Sequence, residues 1–120
     1  MALLYVMIGG AIGSGLRYGM QILMPVTNDA FPFGTFLINV SGSFVIGIVG
    51  GLLAINSISR EGVLFLAVGL CGGFTTFSTF SIELMNLIQA HRIWLAVLYA
   101  LASTVLSVVA AFAGYLAIKH

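Results

Sequence analysis

The residues of this chain whose types and spacing could do chemistry gather in Gly72 to Ser81, GGFTTFSTFS: a glycine pair, a run of hydroxyls and three phenylalanines inside an otherwise apolar stretch. Gly72-Gly73 followed by Thr75-Thr76 is poor material for a helix interior, so a break is expected there. A break frees backbone carbonyls, and broken membrane helices use such carbonyls to hold cations. Gly72 and Thr75, three apart, could both point carbonyls at one ion. Two copies would then surround a small hard cation such as Na⁺ with four oxygens. Past the break, Phe77 and Phe80 share one helix face, with Ser78, Thr79 and Ser81 around them. A phenyl ring edge carries partial positive charge, so edge-on rings attract an anion and offer nothing to a cation. Phenylalanine stripes more often pack than bind; the neighbouring hydroxyls and the break shift that balance toward binding.

Polar residues recur at helical spacing elsewhere. Asn39 and Ser43 lie four apart on one face, and Tyr99, Ser103 and Ser107 repeat every fourth residue, with Thr104 widening the stripe. Such a track can pass a small anion from donor to donor; it can equally bond back to its own helix or join neighbouring helices. Asn39 is harder to read as simple glue, because an amide in mid-span brings donors and an acceptor that all need partners. Arg17 and Glu83 are charges within apolar stretches, where either alone is costly. Both precede the end of their stretch by about two turns, which predicts similar depth and a pair that offsets desolvation. Two readings stay open: Arg17 snorkels to the interface, or the two form a charged vestibule in which Arg17 draws anions inward while Glu83 holds it.

The elements that must position these groups follow from composition. Of the 120 residues, 61% are hydrophobic and only 6% charged, whereas soluble domains carry roughly 25% charged residues. The chain is therefore read as a membrane protein with one domain, residues 1–120. Hydropathy divides it into four spans, 2–24, 33–55, 62–89 and 94–118, each near the ~20 residues that a helix needs to cross a bilayer. Pro25, Asn28, Asp29 and Pro32 mark the first gap, Asn56 to Glu61 the second, His91 and Arg92 the third. Backbone groups in lipid must pair internally and the sequence lacks a barrel's alternation, so the fold class is all-α. The first span lacks a basic leader and cleavage site, so it is read as retained. A net charge of +1 excludes a basic nucleic-acid footprint, and the single cysteine, Cys71, excludes an internal disulfide. An enzyme is not expected, since His91 and His120 fall at span ends and no nucleophile–base pair is apparent.

Arg60 and Lys119 would lie on one side of the membrane, Arg92 and Arg17 toward the other. Two against two gives almost no positive-inside bias. Either orientation should insert, which is compatible with oppositely inserted copies forming an antiparallel dimer or with one orientation set by weak cues. Four helices hardly enclose a conduit, so oligomerisation is expected. The pairs Gly9/Gly13, Gly15/Gly19 and Gly47/Gly51 predict close helix approach.

The segment Gly69 to Ser81 closely resembles the signature of the Fluc/CrcB fluoride channel family. Gly34-Thr-Phe-Leu-Ile-Asn39 with Gly42 resembles that family's second-span motif, Gly9-Gly10-Ala-Ile-Gly13 with Arg17 its first, and Glu83 falls where its third span keeps an acid. The resemblance covers all four spans. It implies a dual-topology antiparallel homodimer in the inner membrane of a bacterial cell, passing F⁻ passively and selectively and so lowering cytoplasmic fluoride. It further implies a structural Na⁺, not transported, on the Gly72 and Thr75 carbonyls. Phe77 and Phe80 would form aromatic boxes beside the F⁻ path, Asn39 would donate a hydrogen bond near them, and Ser78, Thr79, Tyr99, Ser103 and Ser107 would belong to the pathway. The alternative is a small dual-topology proton-coupled multidrug exporter. Exporters of that kind carry a carboxylate in the first span, where this chain has Arg17.

Overall fold

A computed structural model describes residues 1–119; His120 lies outside the described residues. Among the described residues every regular element is helical. Helix α1 spans Ala2–Leu23, α2 Phe33–Ala54, α3 Arg60–Val63, α4 Gly72–Phe74, α5 Ser78–Gln89 and α6 Ile93–Ile118, and a π-helix, Leu64–Cys71, joins α3 to α4. From Arg60 to Gln89 these pieces form one interrupted helix of 30 residues. Among the described residues, that helix, α2 and α6 are the three long and apolar enough to cross a membrane. Helix α1 matches α2 in length at 22 residues, but Arg17, Gln21 and its glycines dilute its apolar character.

The helix ends follow local chemistry. Pro25 bars continuation of α1 and forces Met24 out of the helical region, to ψ 69°. Asn56 and His91 hold positive φ, 55° and 60°. At each, two N–H groups fold back: Asn56 and Ser57 donate to Leu53 and Leu52, His91 and Arg92 to Ile88 and Leu87. This is the Schellman closure, which satisfies carbonyls that a helix end leaves bare. Ser59 caps the start of the interrupted helix, its hydroxyl accepting the Gly62 N–H at 3.0 Å.

Backbone contact through glycine joins the helices into two pairs. Helix α1 lies along the π-helix and α4, while α2 lies along α6. A Cβ on Gly9 or Gly13 would collide with the carbonyls of Phe65 and Leu70; one on Gly47 or Gly114 would collide with those of Ala111 and Phe44. Without a hydrophobic force between helices in lipid, such close packing holds a bundle together. Gly15 and Gly19 meet nothing within 4 Å, so the third expected pair makes no contact inside this chain. The π-helix was not expected from the sequence. Its wider turn sets the Phe65 and Leu70 carbonyls against the α1 glycines, where a side chain would not fit. The chain measures 48 × 31 × 20 Å, a slab only about two helix diameters thick.

Candidate functional site

The break opens at Thr75, whose backbone is extended at φ −80°, ψ 156°. In a continuous helix the Gly72 carbonyl takes the Thr76 N–H and the Thr75 carbonyl takes the Thr79 N–H. Both donors are diverted here. Thr76 N–H donates to Asn39 Oδ1 at 2.9 Å, and Thr79 N–H donates to the Thr76 hydroxyl at 3.2 Å. Asn39 Nδ2 donates in turn to the Thr76 carbonyl at 3.1 Å, so one side chain satisfies both backbone groups of Thr76. The Gly72 and Thr75 carbonyls thus lose their helical donors. Thr75 turns its own hydroxyl back onto the Cys71 carbonyl at 2.8 Å. Helix α2 approaches the break at Gly42, where a Cβ would collide with Thr75 Cγ2 and lie 3.3 Å from the Phe74 ring.

Beside the break runs a groove of about 360 Å³ that gathers Asn39, Thr75, Phe77, Phe80, Ser103 and Ser107. Phe77 is 77% exposed and stands 5.6 Å from Phe80 between ring centroids, tilted by 47°. Phe80 leans on Tyr99, 4.9 Å away. Asn39 Nδ2 carries two hydrogens and gives one to Thr76, leaving one N–H for a ligand. Ser103 Oγ, in the groove wall, is the buried side-chain oxygen among the described residues with no hydrogen-bond partner. Ser43, Thr76 and Thr104 also line the groove. The Thr104 hydroxyl bonds back to Ala100 at 2.8 Å, the self-satisfying use open to any helical threonine. Phe77 and Phe80, Asn39 and the two serines are therefore brought together as expected.

Other expected members lie elsewhere. Tyr99 is fully buried and faces the core, where its hydroxyl donates to Glu83 Oε1 at 2.8 Å. Each step of four residues rotates a helix by about 40°, so the row from Tyr99 through Ser107 curls from core to groove. Ser78 is exposed, its hydroxyl 3.3 Å from that of Thr76. Thr79 lines a separate cavity of about 200 Å³ with Gln21, Thr35 and Glu83. Gly72 is not in the groove wall.

The expected Arg17–Glu83 pair does not form. Arg17 Nε donates to the Gly73 carbonyl at 3.0 Å, whereas Glu83 accepts from Thr35 at 2.9 Å and from Tyr99. The equal-depth estimate fails because the interrupted third helix is longer than α1. Glu83 comes level with Gln21, which shares its cavity, about one turn beyond Arg17. Thr35, the partner of the buried acid, was missed. Its signal was present: Thr35, Asn39 and Ser43 recur every fourth residue along one face of α2. Among the described residues no His, Cys, Asp and Glu cluster could hold a metal, so a cation here would rely on backbone oxygens.

Comparison with known proteins places this geometry in a family context. Residues 4–115 match the family described as CrcB-like protein, Camphor Resistance (CrcB). A protein named fluoride-specific ion channel FluC 2, from Nitrobacter hamburgensis, is 44% identical over 119 residues, covering 98% of this chain and 96% of that protein. A fluoride-specific ion channel FluC from Thermus thermophilus is 46% identical over 113 residues, 93% of this chain and 90% of its own length. One of the same name from Helicobacter pylori is 38% identical over 120 residues, 98% and 92%.

Proposed function

This chain belongs to the CrcB family, and we propose that it is a fluoride-selective channel of a bacterial membrane, passing F⁻ down its gradient and so lowering the cytoplasmic concentration. The groove carries the proposal. It offers an open Asn39 N–H, the unpartnered Ser103 hydroxyl and two phenylalanine rings. Fluoride is the smallest halide and a strong hydrogen-bond acceptor, so dehydrating it takes closely placed O–H and N–H donors. A cationic trap would bind without releasing; conduction asks for several moderate sites. Arg17, engaged with Gly73, is not part of the groove wall. Nothing in this arrangement performs bond chemistry, and the function is transport.

The assembly is read as two copies inserted in opposite orientations, with α1 as the fourth span of each. A slab 20 Å thick supplies one wall of a conduit, and Phe77, mostly exposed, would be covered by the second copy. The Gly72 and Thr75 carbonyls, deprived of their helical donors, fit a structural Na⁺ shared across the dimer; both are hard oxygen ligands of the kind such a cation takes. Bound there, the ion would supply positive charge that holds the two breaks together. It is not the transported species.

Reconstitution into liposomes loaded with F⁻ or Cl⁻ tests the function. The expected result is rapid F⁻ efflux with Cl⁻ retained. Robust Cl⁻ efflux, or retention of F⁻, would overturn it.

A further inference from the structure

We infer that Arg17 is a positioning residue, which caps the first half of the broken helix from α1 and thereby sets which carbonyls of the break remain free. The break gives that half-helix a C-terminal end in mid-chain, at Phe74. Such an end presents bare carbonyls and the negative pole of the helix dipole, which basic side chains complement. The basic group here comes from another helix. Arg17 Nε meets the Gly73 carbonyl at 3.0 Å across 56 residues of sequence.

The approach is built into the packing. A Cβ on Gly73 would lie 2.6 Å from the Gly10 carbonyl and 3.1 Å from Ser14 Oγ, and one on Gly13 would collide with the Leu70 carbonyl. Gly10, Ser14 and Arg17 recur at helical spacing, so the face of α1 that carries the small contacts ends in the guanidinium. Around the break, Asn39 takes both backbone groups of Thr76, the Thr76 hydroxyl takes the Thr79 N–H, and Arg17 takes the Gly73 carbonyl. The carbonyls of Gly72, Phe74 and Thr75 are left without a donor. A charge-assisted bond in a low-dielectric setting is stronger than a neutral one, which suits a residue that must hold a helix end in place. Arg17 thus acts on transport through Gly73 and not by attracting the anion.

The two roles separate experimentally in the full-length protein. Hydrogen–deuterium exchange of the peptide covering residues 72–79 reads the junction directly, in Arg17→Gln and in Arg17→Lys, which keeps the charge but not the planar fork. The expected exchange is at least tenfold faster in Arg17→Gln and about threefold faster in Arg17→Lys. In liposomes the limiting F⁻ flux of Arg17→Gln falls at least tenfold, with half-saturating F⁻ unchanged within twofold. Should Arg17→Gln fail to fold, Arg17→Lys decides on exchange alone. Wild-type exchange in the variants that fold would overturn the inference. So would a half-saturating F⁻ raised fivefold with limiting flux intact, which marks an anion lure. The flux arm rests on the fluoride-channel reading and the exchange arm does not: absence of F⁻ flux in the wild-type protein would sink that reading and leave the exchange comparison standing.

Discussion

Asn39→Ala removes both partners of Thr76 at once. The amide accepts the Thr76 N–H at 2.9 Å and donates to the Thr76 carbonyl at 3.1 Å, and each bond contributes about 0.5–1.5 kcal/mol net. Together they favour the broken form by about 1–3 kcal/mol, roughly 5- to 150-fold in its equilibrium with a continuous helix. Once released, the Thr76 N–H stands four residues after the Gly72 carbonyl, the partner it would have in a continuous helix. Rewinding would then occupy an oxygen that the proposed cation needs. Fluoride flux should fall by up to the same factor through the break, and further because Asn39 also brings an N–H to the groove. Asn39→Asp keeps the acceptor, loses the donor and sets a carboxylate in the anion's path, so it should conduct no better than Asn39→Ala. The assay is F⁻ efflux from liposomes, normalised to protein that elutes as dimer. Flux in Asn39→Ala within twofold of wild type would refute the idea that this amide maintains the break.

Four further outcomes are expected. Phe80→Ile should suppress F⁻ flux while the dimer stays assembled on size exclusion; unchanged flux would remove the ring from the path. Tyr99→Phe keeps the ring between Phe31 and Phe80 but leaves buried Glu83 one donor short, at a cost of about 1.5–3 kcal/mol; a wild-type unfolding midpoint in detergent would contradict this. Gly42→Ala drives a methyl into Thr75, so stability should drop by about 1–3 kcal/mol and flux with it, measured by thermal unfolding and efflux. Replacing Na⁺ by N-methyl-glucamine during prolonged dialysis should lower the unfolding midpoint of the purified protein. No change there would argue against a structural cation at Gly72 and Thr75.

Much of this site was legible in the sequence because membrane burial leaves few innocent polar residues. Asn39 and the Gly72 to Ser81 segment stood out against an apolar background, and the break falls where glycine and threonine weaken a helix. Counting turns from span ends misleads where neighbouring spans end at different depths. The interrupted third helix outruns α1, so counting turns from span ends pairs two charges that bond elsewhere. Spacing of four puts Tyr99 in the hydroxyl track, yet spacing of four rotates, and the first member of the row faces the core. The Thr35 hydroxyl was passed over because a threonine near a span start looks ordinary until its acidic partner is located. How the Gly72 and Thr75 carbonyls come to lose their donors is likewise invisible in sequence. It depends on where side chains from other helices send their donors and acceptors.

Selective passage of F⁻ through a groove of moderate donors is tested most directly by the reversal potential in a planar bilayer with F⁻ on one side and Cl⁻ on the other, plus a tenfold F⁻ gradient as a control. The control should reverse at about 59 mV, the full value for a univalent ion, and the bi-ionic potential should lie far toward the F⁻ limit. A bi-ionic reversal near zero would mean that Cl⁻ shares the path, and the groove described here would not be a fluoride filter.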